Sequence, residues 1–182
     1  NLMDAVSLAY LDAGIMKGDR VALLSMARTE FLTTYMAAGK VGAVWLGLSP
    51  KFTLEELRYQ IGDCRPSLLI ALREYLGNDL SETIRALMKE FSFIKKVLIL
   101  GEPIEGTENF HDFTQKPRKG LEADLDRRSG EILETDEALL MYTSGSTGKP
   151  KGVIHTHRSI VENIRIEVKK FFFDEQSRGI LH

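Results

Sequence analysis

Residues 1–100 alternate short β-rich apolar runs with segments of helical spacing. RVALLS (20–25) is followed by TEFLTTYMAAGKVG (29–42), AVWLGLSP (43–50) by TLEELRYQIGDC (53–64), and SLLIA (67–71) by a long helical stretch and then KVLIL (96–100). Parallel strands cannot be joined by tight turns, so each needs a crossover, and such crossovers are right-handed. The expected class is therefore α/β, a mostly parallel sheet with flanking helices. Local signals agree. Thr53 and Glu56 have capping-box spacing, Leu54, Leu57 and Ile61 then share one face, and Leu80, Ile84, Leu87, Met88 and Phe91 form a second stripe. Both stripes are expected to pack in the core rather than touch a ligand.

From 101 to 137 glycine, proline and charge interrupt every apolar run, which predicts a long connection with one short helix near Leu121–Asp126. Its basic patch KPRKG (116–120) is flanked by acids and lacks an aromatic stacking platform, so a solvated loop is expected there. The run ALLMYTS (138–144) is apolar enough for a buried strand, GVIHT (152–156) is a second β-rich run, and Ile160, Ile164, Val168 and Phe171 or Phe172 line one face of a following helix. The domain reading is one partial unit over 1–182. Its parts are βα units to residue 100, the connection at 101–137, and a hairpin with its helix at 138–182.

Between those two strands lies YTSGSTGKPKG (142–152). Gly145, Gly148 and Gly152 permit positive φ and close approach to the backbone, while Thr143, Ser144, Ser146 and Thr147 add hydroxyl donors. Consecutive amides in such a loop can form an anion-binding nest, with Lys149 and Lys151 as cations beside it and Pro150 stiffening the exit. An ordinary Gly/Ser hairpin is the alternative, and the density of donors favours phosphate. Spacing does not say which phosphate fold. The Walker pattern fails because Pro150 follows Gly148-Lys149 and Thr143 stands where a glycine is needed. The dinucleotide fingerprint fails because position 143 is not glycine, and a nucleophile elbow would need one more residue.

The stretch MYTSGSTGKPKGVIHTHRSI (141–160) resembles the phosphate-loop signature of the adenylate-forming, AMP-binding superfamily, which includes acyl- and aryl-CoA synthetases, peptide-synthetase adenylation domains and beetle luciferases. Leu140, then Thr143 to Gly148, then Pro150-Lys151 fill the constrained positions. GDRVALLS through CRPSLLI (18–70) is similar to an early region of the same family, so the resemblance covers nearly the whole chain. It implies part of a large N-terminal domain and an acid–thiol ligase activity. A carboxylic acid is activated with ATP and Mg2+ to an acyl-adenylate and then passed to coenzyme A. A peptide-synthetase domain and a non-catalytic nucleotide-binding module are the alternatives. By position, Thr143, Ser144, Gly145, Ser146, Thr147, Gly148, Lys149 and Lys151 would hold the nucleotide, with Lys151 the catalytic candidate. The family's magnesium, ribose and acyl-pocket motifs lie beyond His182, so this piece alone is expected to be inactive and its metal ligands are unassigned.

Other features point to structure. His155 and His157 lack the further ligand that a zinc site needs, and His157 is expected at a helix start beside Thr156. Cys64, the single cysteine, has no paired base and is expected to be a buried, inert thiol. Lys+Arg 24 against Asp+Glu 26 gives a net charge of −2, which offers no polyanion-binding surface, so no nucleic-acid partner is expected. With no apolar run near the ~20 residues that span a bilayer, and with one cysteine, a cytoplasmic protein is expected.

Overall fold

The computed structural model describes residues 2–144, 149–172 and 177. Helix α1 (Leu2–Asp12) leads into β1 (Arg20–Leu24), α2 (Thr29–Val41), β2 (Val44–Leu48), α3 (Leu54–Cys64) and β3 (Leu68–Leu72). A two-stranded ribbon, β4 (Glu74–Tyr75) and β5 (Asn78–Asp79), precedes α4 (Ser81–Glu90) and β6 (Lys96–Leu100). Then come β7 (Glu108–Asn109), α5 (Phe110–Gln115), α6 (Glu122–Gly130), β8 (Glu137–Thr143), β9 (Lys151–Thr156) and α7 (His157–Phe171).

The main sheet has the order β7-β6-β3-β1-β2-β8-β9, parallel throughout except for the antiparallel β8–β9 pair. Because strand side chains alternate, each inner strand feeds two cores. Val21 and Leu23 face the side covered by α1, α2, α5 and α6, whereas Ala22 and Leu24 face α3 and α4. The chain steps from β1 to β2 in one direction and from β2 across to β3 in the other, which places α2 and α3 on opposite faces. Gly42 ends α2 in the left-handed region at φ 76°, its amide bonded back to the Ala38 and Gly39 carbonyls. The Thr53–Glu56 capping box is formed at α3, and Leu57, Ile61, Ile84 and Leu87 are buried as their spacing predicts.

The span from 101 to 137 corrects the sequence reading. The helix expected near Leu121–Asp126 is present as α6 and runs on to Gly130, but β7 also extends the sheet beside β6 and α5 is capped by the Asn109 side chain. The basic patch is not simply solvated. The Arg118 side chain is 4% exposed and donates to Asp12 Oδ2 (3.1 Å) and to the carbonyls of Phe113 (2.6 Å) and Lys116 (2.8 Å). Lys96, Lys116 and Arg118 all lie over the Phe113 ring, and both lysines pair with Glu108. Strand β8 is half-covered rather than buried, with Ala138 and Leu140 inside and Met141 50% exposed. Helix α7 carries its apolar stripe, but none of its residues is buried, and Phe172 lies just beyond it as the left-handed C-cap.

Arg118 satisfies carbonyls at the end of a short helix, where the Lys116 amide also donates to the Phe113 carbonyl at 3.4 Å. Arg118→Ala should lower the unfolding free energy by about 2–3 kcal/mol in urea titration. Arg118→Lys should recover less than half of that loss, because an ammonium lacks the planar fork.

Candidate functional site

Strands β1, β2 and β8 point their carboxyl ends the same way. The chain leaves β1 toward α2 and β2 toward α3, on opposite faces, and a recess opens where they diverge, as in other open parallel sheets. Its volume is about 560 Å³, with Phe31, Tyr35, Trp45, Leu139 and Met141 among its walls and the hydroxyls of Ser25 and Ser49 among its polar groups. Trp45 sets the floor. Its ring meets Phe31 and Tyr35 edge-on at 4.6 and 5.7 Å, and its indole N–H donates to Thr34 Oγ1 at 3.1 Å. Such a cavity suits an apolar group with a few polar anchors.

The glycine-rich loop leaves β8 beside this recess. Thr143 is the last residue of β8, and its register partner is Lys151, the first of β9. Thr143, Ser144, Lys149 and Lys151 are all exposed. Gly145, Ser146, Thr147 and Gly148 lie outside the described residues, and so does the nest expected from them. Gly152 sits opposite Tyr142, where a Cβ would lie 3.1 Å from Leu140 Cδ1 and 3.5 Å from the Tyr142 ring.

Helix α3 reaches both described ends of this loop. The Tyr142 hydroxyl donates to Asp63 Oδ2 at 2.5 Å, with the Gln60 carbonyl 3.2 Å away as a second acceptor. Burial, then the bond to Asp63, push the Tyr142 phenol well above its ordinary range, so it stays protonated and a donor. On the exit side the Tyr59 hydroxyl donates to the Pro150 carbonyl at 3.0 Å, and the two tyrosine rings meet edge-on at 6.5 Å. Sequence spacing gives no hint of these links, because their partners stand 79 and 91 residues apart. The one local signal is that Tyr59 and Asp63, four residues apart, share a face of α3.

At the far end of the hairpin, Thr156 caps α7 and His157 is its first residue, as the sequence predicts. The His157 amide donates to the Asp136 carbonyl, the Arg158 amide to the Glu134 carbonyl, and Lys17 pairs with Asp136 at 2.6 Å. His157 Nε2 is buried without a partner among the described residues. Burial lowers its pKa from the ordinary 6.5, against the pull of the Asp136 carboxylate. Cys64 is buried, and that burial pushes its thiol up to about 12, so no thiolate is available at neutral pH. Among the described residues no three His, Cys, Asp or Glu side chains converge on a possible metal position. No helix among them is long and apolar enough to cross a membrane.

The described residues thus form a mostly parallel α/β sheet whose β8–β9 hairpin carries the hydroxyl- and glycine-rich segment, and comparison with known proteins gives its family. The family model for AMP-binding enzymes matches residues 4–180, and the chain belongs to that family. It is 32% identical over 171 residues to the acyl-CoA ligase sidI of Aspergillus fumigatus, covering 89% of this chain and 28% of that protein. A long-chain-fatty-acid–CoA ligase of Bacillus subtilis is 30% identical over 185 residues, covering 89% and 32%. The chain thus spans under a third of the length of these relatives. Among solved structures, the anthranilate CoA ligase AuaEII in complex with anthranoyl-AMP superimposes with a TM-score of 0.74 at 27% identity, covering 86% of this chain and 28% of that one. ATP-bound MatB from Rhodopseudomonas palustris gives 0.73 at 26% identity, covering 94% and 32%.

Two outcomes test this geometry. A Cβ at Gly47 would lie 2.8 Å from Trp45 Cη2, so Gly47→Val must displace the ring. It should cost about 1–3 kcal/mol and shift the emission of Trp45, the only tryptophan. A histidine whose folded pKa is depressed contributes fully to stability above its unfolded value and loses that contribution as pH falls, because the unfolded chain takes the proton first. The urea midpoint should therefore drop from about pH 7.5 to about pH 5.5, and the drop should be smaller in His157→Gln.

Proposed function

We propose that the protein to which this chain belongs activates a carboxylic acid with MgATP and transfers the acyl group to the thiol of coenzyme A. In this reading the hairpin loop holds the nucleotide's phosphates. The observation that carries it is the loop's placement, with Thr143 and Lys151 paired at its base on the carboxyl edge of a parallel sheet in an AMP-binding family member. The named relatives support it, since sidI is an acyl-CoA ligase, the anthranilate CoA ligase AuaEII was crystallised with anthranoyl-AMP, and MatB with ATP.

The chemistry explains why such a loop is needed. A carboxylate is a poor electrophile. Its oxygen attacks the α-phosphorus of ATP and expels pyrophosphate, and the thiolate of coenzyme A then attacks the acyl carbon and expels AMP. Negative charge grows on the departing pyrophosphate, so donors already fixed around the β- and γ-phosphates lower the barrier. Thr143 and Ser144 supply hydroxyls on the entry side, Gly145, Ser146, Thr147 and Gly148 supply amides and further hydroxyls, and Lys149 and Lys151 supply cations on the exit side. Lys151 is the catalytic candidate because its strand position fixes its backbone, whereas Lys149 precedes the strand. The described residues offer Mg2+ no carboxylate cage; arriving with ATP, the ion would offset the charge of the phosphates. A reducing compartment such as the cytoplasm suits the lone buried thiol.

The test is hydroxamate trapping by the full-length protein across a panel of carboxylic acids. Turnover with at least one acid is expected, and Lys151→Ala and Thr143→Ala should lower kcat by about 10- to 100-fold and less than that, respectively. Equal rates in wild type and both variants would remove the loop from the reaction.

A further inference from the structure

We infer that Tyr59 and Tyr142 are positioning residues that hold the two ends of the phosphate loop on α3, so that the helix sets the loop's readiness for the β- and γ-phosphates. This rests on the functional reading above. The β8–β9 ladder is described as far as the Thr143–Lys151 pair, at the base of the loop. On the entry side, the residue before Thr143 is tied by its hydroxyl to Asp63. On the exit side, the Pro150 carbonyl is held by Tyr59 one helical turn away.

Each tie lands where it restricts the loop most. Proline has a locked φ, so fixing the direction of its carbonyl leaves that residue little freedom. Tyr142 is wedged between Gly152 and α3, and a larger residue at 152 would press on its ring. Helix α3 is itself a rigid support, closed at its start by the Thr53–Glu56 capping box and seated in the core by Leu57 and Ile61. Two contacts on one face of one helix therefore fix Tyr142 and Pro150, which flank the loop, before ligand arrives, and less ordering of these ends remains for the nucleotide to impose.

Calorimetric titration of the full-length protein with MgATP and, separately, with AMP tests this. Tyr59→Phe and Tyr142→Phe keep the rings and remove only the hydroxyls. Each should weaken MgATP binding by about threefold to tenfold while AMP, which lacks the β- and γ-phosphates, changes by less than about twofold. The double variant should lose less than the product of the single effects, because freeing one end already releases the loop. Unchanged MgATP affinity in both variants, or an equal loss for AMP, overturns the inference by assigning the tyrosines to general packing. Wild type that binds no MgATP overturns the functional reading and this inference with it. Should Tyr142→Phe fail to fold, Tyr59→Phe alone decides, since its ring is partly exposed and its removed bond lies at the surface.

Discussion

Strand β1 is the constraint on which the rest depends. Val21 to Leu24 have no measurable exposure, and β1 is hydrogen-bonded in parallel to β2 on one edge and to β3 on the other. A strand enclosed in this way must find apolar cover on both faces. The cover comes from sending α2 to one face and α3 and α4 to the other, which the chain achieves by reversing its direction of travel after β2. Each fully buried leucine or isoleucine in those two cores contributes about 1.5–3 kcal/mol, so the reversal is held by the bulk of the packing energy rather than by any loop.

The same reversal creates the functional edge. Loops that leave neighbouring strands toward opposite faces cannot fill the space between them, and the recess floored by Trp45 occupies that gap. Gly47 has no side chain, which lets the indole lie flat across β2, and Thr34 takes the indole proton that would otherwise be buried without a partner. Beside the recess, β8 adds to the sheet through β2 and delivers the glycine-rich segment to the level of the other strand ends. Helix α3 thus has two duties. Its buried side covers β1, and its outer side, through Tyr59 and Asp63, faces the hairpin.

The inner fold was legible because β1, β2, β3 and β6 are apolar and the helices between them carry stripes of correct period. The two-residue strand β7 was not, since Glu108 and Asn109 have no strand character and are held by β6, by two lysines on Glu108 and by the Asn109 side chain, which donates to the Gly101 carbonyl. Arg118 read as a surface charge because nothing local reveals that Asp12 lies beside it, 106 residues away. The turn at Leu76-Gly77 escaped notice for a similar reason. Both residues have positive φ, and a leucine there contradicts the usual preference. At the candidate site, residue types singled out the 142–152 segment as a candidate, while the ties of Tyr142 and Pro150 to α3 depend on tertiary proximity that no single-sequence pattern encodes.

How the loop would hold phosphate also follows from what the neighbouring helix does. Many phosphate sites place the anion at a helix N-terminus, where free amides and the helix dipole act together. Here α7 begins at His157, directly after β9 ends at Thr156, at the opposite end of the hairpin from the loop. Its first amides are spent: His157 donates to the Asp136 carbonyl, Arg158 to the Glu134 carbonyl and Ser159 to the Thr156 side chain. A phosphate held by this hairpin therefore gains nothing from the dipole of α7. In the proposed reading this hairpin would contact phosphate through the loop's own amides, hydroxyls and lysines, and there the ties from its described ends to a rigid helix would matter most.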